Sequence, residues 1–338
     1  MSDALHGVLH WVARQPVGLE LELVCVVHPG PSRGEPGRTV VRLATCIREV
    51  PAHEVVELLT AGAATVVVRR DGCEHRGTAT DHLAPVVRVL AAAGVPRLRI
   101  DDAGRPTTDD AAPARRGLAG LGRRPLRTRP RQVTREVLDA GRMPVPRRQV
   151  LGLSPGPARE LPDALASGPH RTNAAVAALL PAGSRAAADL PSAAVRLAAR
   201  ACTACGVCVR ACPTDALSVR SLGGADGSPM ITSLLQDPTG CDGCLRCVQM
   251  CPADVLTVTG TWGWDEVLAR VDEPEVAPVA SLTTAECRRC HARFPTTDAA
   301  SLCPVCTYRR ANPFSSALPP GVVLAPGPVA PPAVVPSA

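Results

Sequence analysis

Two stretches of the chain share one spacing. Cys202, Cys205, Cys208 and Cys212 run into Pro213, and Cys241, Cys244, Cys247 and Cys251 run into Pro252; each stretch reads C-x2-C-x2-C-x3-C-P. The repeat continues past the prolines, where Thr214-Asp215-Ala216-Leu217 matches Ala253-Asp254-Val255-Leu256. Eight thiols in two copies of one frame limit the chain more than any other feature. Structural zinc takes four ligands, usually from two C-x2-C pairs, and leaves the third cysteine of each run without a task. Disulfides need an oxidising compartment. The segment Met1 to Arg14 has neither a twin-arginine pair nor an apolar core of a leader, so a reducing, cytoplasmic setting is expected.

A cubane of four irons and four sulfides needs four thiolates at separate irons. Each C-x2-C step is a tight turn, so three closely spaced cysteines wrap one face and the fourth comes from elsewhere. The pair of runs resembles the bacterial-type ferredoxin domain with two [4Fe-4S] clusters, in which the last cysteine of each run ligates the other cluster. That resemblance implies one cluster on Cys202, Cys205, Cys208 and Cys251, and a second on Cys241, Cys244, Cys247 and Cys212. Gly206 and Gly243 stand where the backbone turns closely around sulfide, which a missing Cβ favours. Pro213 and Pro252 stop the preceding turn. An α+β ferredoxin-like domain is expected over 195–261, with Leu217 to Arg220 and Val255 to Thr259 as the strands closing a small sheet. Met230 to Leu235 reads as a strand or short helix.

Residues 1–101 alternate between the two periodicities. Leu5 to Arg14 reads as a helix, Leu19 to Val27 and Thr39 to Cys46 as strands, and Pro51 as the start of a helix that ends near Gly62. A third strand over Ala64 to Val68, a helix from Leu83 to Gly94 and a strand over Arg97 to Ile100 complete a small α/β domain with a parallel sheet. Three residue groups then carry a second resemblance: Thr45-Cys46-Ile-Arg-Glu-Val-Pro51, Ala61-Gly62-Ala-Ala-Thr-Val-Val-Val68 and Asp71-Gly-Cys73-Glu-His75. They are similar to the delta-type iron–sulfur subunit of methyl-viologen-reducing hydrogenases, which partners heterodisulfide reductase. The resemblance implies a [2Fe-2S] site at Cys25, Cys46 and Cys73, each at the C-terminal end of a strand, where ligands of open α/β sheets gather. The chain departs from the family at Val27-His28-Pro29-Gly30, where the second cysteine of the family's first pair is missing. His28 or His75 then stands as a fourth ligand, since His replaces Cys on some [2Fe-2S] centres. The competing reading is three small buried cysteines that only pack.

Residues 102–194 read as an Arg-, Pro- and Ala-rich linker, with helical stretches at Val133 to Ala140, Ala174 to Leu180 and Ala193 to Arg200. The chain has 37 Arg, no Lys and a net charge of +6, but Ala114 to Val150 alone holds eleven Arg against Glu136 and Asp139, which leaves the remainder at −3. Each oxidised four-thiolate cluster adds roughly −2. The basic stretch lacks the aromatic or motif support of a nucleic-acid surface. It reads as a solvated linker or as a docking strip for an acidic redox partner.

At the other end, Cys287-x2-Cys290 and Cys303-x2-Cys306 present four sulfurs with twelve residues between the pairs. Two such knuckles suit tetrahedral zinc in a ribbon-like knot over 281–310, with a single iron as the alternative. Cys287-x2-Cys290-His291 also matches a c-type haem attachment motif, which leaves Cys303 and Cys306 idle. Residues 311–338 read as a Pro-rich disordered tail, too often broken by proline to span a membrane. The expected function is single-electron relay through two [4Fe-4S] clusters, with one zinc and a [2Fe-2S] centre as further cofactors. The partners would be hydrogenase-like, flavin or other oxidoreductase subunits, with no nucleic acid and no membrane span. The other reading is a binding, assembly or redox-sensing module whose clusters are structural. No Gly-rich nucleotide fingerprint or nucleophile constellation points to autonomous catalysis.

Overall fold

The computed structural model describes residues 4–28, 37–70, 72–101, 137–144, 166–181, 190–223, 230–296 and 300–313. The chain opens with α1 (His6–Val12), β1 (Leu19–Val24), β2 (Arg38–Arg42), α2 (Ala52–Thr60), β3 (Ala63–Arg69), α3 (Ala84–Ala92) and β4 (Leu98–Asp101). With β5 (Val137–Asp139) these strands form a parallel sheet in the order β4-β3-β1-β2-β5. The N-terminal part is therefore an α/β domain with a parallel sheet. Its β1 sequence, Leu-Glu-Leu-Glu-Leu-Val, alternates as a strand with two unlike faces. Leu21 and Leu23 are fully buried and join Val66, Val68, Leu58 and Leu59 in the main core. Glu22 points to the other face, where it meets Arg38 from β2 at 3.1 Å and Arg69 from β3 at 3.5 Å. One face is thus apolar and helix-covered, while the other carries an ion network across three strands.

Helix α2 is buried all round, from His53 to Leu59. It lies beside α1 and against α4 (Gly168–Leu179). Fully burying each of Val55, Leu58 and Leu59 contributes about 1.5–3 kcal/mol. The same burial obliges the polar residues of α2 to find partners. Glu54 accepts the backbone N–H of Leu5 at 2.5 Å, and Glu57 binds Arg171 of α4.

Two helical expectations are corrected. Val137 to Asp139, within the stretch read as a helix over Val133 to Ala140, is the edge strand β5; Val40 pairs with Val137 and Arg42 with Asp139. Residues 133–136 lie outside the described residues. Ala193 to Arg200 likewise falls in β6 (Pro191–Ala199), which pairs antiparallel with β9 (Leu256–Gly263). In both places an available sheet edge outweighs a weak helix preference. Much of 166–194, read as linker, is packed structure: α4 lies against α2, and β6 belongs to the second domain.

The second domain holds α5 (Val207–Ala211), β7 (Leu217–Leu222), β8 (Met230–Gln236), α6 (Arg246–Gln249) and α7 (Trp264–Asp272). Strands β7 and β9 do not close one sheet as expected. β9 pairs with β6, while β7 pairs with β8 in a four-stranded antiparallel sheet completed by β10 (Ala277–Glu286) and β11 (Arg293–Pro295). The C-terminal knot, finished by α8 (Pro304–Ala311), is thereby joined to the β7–β8 hairpin through β10. Trp264 of α7 is buried in the core of the first domain, so the two domains share apolar contact. Among the described residues, no helix is long and apolar enough to cross a membrane.

Candidate metal centres

Each cysteine run begins in an extended loop and ends in a single helical turn, α5 or α6. The two copies use the same backbone conformations. Ala204 and Gly243, Gly206 and Leu245, and Asp215 and Asp254 occupy equivalent places, and all six have positive φ, between 51° and 74°. This left-handed geometry folds a C-x2-C step inward without a helix. Gly243 is crowded as well: a Cβ there would lie 2.3 Å from the Ala193 carbonyl oxygen. β6 therefore passes directly over the second cysteine loop.

The runs interlock. One cavity is lined by Cys202, Cys205 and Cys208 of the first run together with Cys251 of the second. Another is lined by Cys241, Cys244 and Cys247 together with Cys212. The walls are apolar: Val219, Leu234 and Leu256 around the first, Val195, Leu197 and Leu217 around the second. Burial, opposed by a backbone N–H and reinforced by the neighbouring thiols, pushes Cys247 up to about 11 and Cys208 also upward. Cys251 behaves differently. Burial raises it, but N–H groups of Val255, Leu256, Ala253 and Asp254 outweigh that and hold the thiol below its ordinary value. These N–H groups come from the turn after Pro252 and stabilise charge on sulfur. The eight cysteines form no set of three sulfurs all within 4.8 Å of one another. A cubane carries each thiolate on its own iron, with sulfurs spread by about 6 Å, so this wider spacing fits it.

Residues 201–255 match the family model of the 4Fe-4S dicluster domain. This part of the chain is an iron–sulfur domain of the ferredoxin type. No curated protein matches the chain. Cys205 and Cys244, the second cysteines of the two runs in this ferredoxin-type domain, are exposed, whereas Cys247 is buried. Each cavity thus has one thiol at the surface.

Two further cysteine groups are built on a smaller scale. Cys287, Cys290, Cys303 and Cys306 have all four sulfurs within 4.8 Å of one another, with Cys290 and Cys303 at 3.7 Å. Cys303 caps α8, and its sulfur accepts the N–H of Cys306 at 3.4 Å. Burial opposes charge on Cys287, yet N–H groups of Cys303, Cys290 and Arg289 bring its thiol down to about 6. Burial and the surrounding thiols push Cys306 up to about 12. Three sulfurs from Cys25, Cys46 and Cys73 form the other group, with Cys46 and Cys73 at 3.8 Å. Cys25 follows β1 directly, while Cys46 and Cys73 lie four residues beyond β2 and β3. Neither His28 nor His75 belongs to the group. Sequence reasoning passed over Glu57, Arg171, His170 and Asp237, which tie the domains together; the sequence offered no periodicity or motif to mark them.

Proposed function

We propose that this protein relays single electrons through two [4Fe-4S] clusters held crosswise by Cys202, Cys205, Cys208 and Cys251, and by Cys241, Cys244, Cys247 and Cys212. The observation that carries this reading is the interlocking of the two runs in two apolar-walled cavities, each with one exposed thiol, Cys205 or Cys244. When bound, such clusters supply one-electron redox steps at potentials set by hydrogen bonds to sulfur and by burial. The chain's residues do the rest. The apolar walls exclude water from the inner thiols, and the N–H groups after Pro252 hold charge at Cys251. Tetrahedral zinc in the Cys287, Cys290, Cys303, Cys306 knot would fasten β11 and α8 to the sheet, since the knot's own core is little more than Ala285, Phe294, Leu302 and the cysteines themselves.

The resemblance of the N-terminal domain to a hydrogenase delta-type subunit supports a place beside a hydrogenase-like or flavin-bearing oxidoreductase in the cytoplasm. The three cysteines lie beyond the C-terminal ends of parallel strands, the side of the sheet that the resemblance implies, although their sulfur spacing is not that of its cluster. The test is anaerobic purification, iron and sulfide analysis, and an EPR-monitored redox titration. About eight irons per chain and two reversible one-electron steps are expected. Clusters that reduce only with unfolding would assign the protein to assembly or sensing instead. Thiol labelling of Cys251→Ser tests the crosswise set: Cys202, Cys205 and Cys208 should become reactive while Cys241, Cys244 and Cys247 stay protected.

A further inference from the structure

All three cysteines of the first hundred residues end at one point, although they arise from three separate strands. The hydrogenase resemblance implies a [2Fe-2S] centre there, and the geometry does not fit one. In such a centre the terminal thiolates are divided between two irons, and those on different irons are more than about 5 Å apart. Three thiols on two irons must include such a pair. Here all three sulfurs lie within 4.8 Å of one another, and Cys46 and Cys73 are 3.8 Å apart. Four sulfurs about 2.3 Å from a tetrahedral zinc stand about 3.8 Å from each other. The molecule also contains its own comparison. The cysteines of the ferredoxin runs are spread beyond the single-ion scale, while the four-cysteine knot has the same short scale, with 3.7 Å between Cys290 and Cys303.

We infer that Cys25, Cys46 and Cys73 form a three-thiolate site for one zinc(II) ion, with a fourth position open to water or an external thiol. Cys25, directly after β1, and Cys73, in the turn that follows β3, are buried, while Cys46 is partly exposed and marks the open side. Among the described residues, no fourth donor joins the three sulfurs at this scale. Three protein ligands and one open position are the arrangement of zinc sites that bind an exogenous group, in contrast to the closed four-cysteine knot. The site lies at the C-terminal edge of the parallel sheet, near β1, where the chain's direction across the sheet reverses. Binding exchanges protons for metal at the thiols and requires no oxidant or reductant.

The test uses the full chain with its clusters intact. Zinc, iron and sulfide are measured in wild type and in Cys46→Ser, chosen because Cys46 is the least buried of the three, with circular dichroism confirming the fold. The expected result is a loss of about one zinc per chain with iron and sulfide unchanged. A loss of about two irons would restore the [2Fe-2S] reading and overturn the proposal. Unchanged metal, or a disulfide between any two of the three cysteines in anaerobic wild-type protein, would also overturn it. If Cys46→Ser does not fold, the zinc content of Cys290→Ser/Cys306→Ser decides. About one zinc per chain should remain at this site, and none would overturn the proposal.

Discussion

Arg171 grips Glu57 with two parallel hydrogen bonds, Nε to Oε1 and Nη2 to Oε2, both 2.7 Å long. Glu57 is completely buried and Arg171 nearly so. The pair joins α2 of the parallel-sheet domain to α4, and α4 in turn touches the iron–sulfur domain. There His170 bonds Asp237 at 2.8 Å, and the Asn173 side chain donates to the Thr239 carbonyl at 2.7 Å. A helix in a stretch without a recognisable motif thus clamps the two domains.

Removing Arg171 strips the completely buried Glu57 carboxylate of its bidentate partner. Arg171→Met is expected to destabilise the protein by about 3–5 kcal/mol, and Glu57→Leu/Arg171→Met to recover much of that loss. Denaturant midpoints of the cluster-loaded proteins give the ranking. A double variant no more stable than the single one would show that the pair contributes through packing alone.

The Asp237 contact gives a pH dependence. Burial raises this carboxyl, but hydrogen bonds from His170 and Thr239 outweigh it and leave the group below its ordinary value of 3.8. Because the folded-state value is the lower one, the carboxylate's stabilisation is fully present above about pH 4 and is lost as pH falls through the depressed value. The midpoint gap between wild type and Asp237→Asn should not close between pH 7 and pH 5, and should shrink at lower pH. Closure already above pH 5 would contradict a depressed carboxyl.

Two substitutions in the second cysteine loop should act in opposite directions. Gly243→Ala places a methyl group 2.3 Å from the Ala193 carbonyl oxygen. The loop must move, so iron content per chain should fall and the Cys241 and Cys244 thiols should become reactive. Leu245→Gly relieves a left-handed backbone at φ 61° and is expected to gain about 1 kcal/mol before the lost side-chain contacts are counted. Iron analysis and thermal midpoints distinguish these outcomes from two variants that behave alike.

The knot should act as a local fastener. In Cys306→Ser, hydrogen exchange is expected to rise across Arg293–Pro295 and Pro304–Ala311 and to stay low in the β7–β8 hairpin. That hairpin has its own ladder, and Leu217 and Leu234 pack in the ferredoxin core. Exchange that rises equally in β7 and β8 would show that the metal supports the whole sheet.

The cysteine frames, the proline stops and the strand at Leu19 were legible because they are local. A C-x2-C turn, a fixed φ and a period of two are properties of a few adjacent residues. The same holds for the parallel-sheet domain, whose strands and helices each carry their own apolar pattern. What lay beyond such reading was every choice made by a distant partner. Ala193 to Ala199 has a composition that suits a helix, and pairing with β9 makes it a strand. Val137 to Asp139 becomes a strand because β2 offers an unpaired edge. Strand β7 leaves β9 for β8, and β10 carries the knot into the same sheet. The convergence of Cys25, Cys46 and Cys73 on the scale of a single ion was likewise undetermined by spacing, since 21 and 27 residues separate them. By itself the sequence determined which residues have metal-binding chemistry and which local turns present them. Only the tertiary structure decided which sulfurs share a centre and how large that centre is, because those distances are set by strand pairing and helix packing between segments far apart in the chain.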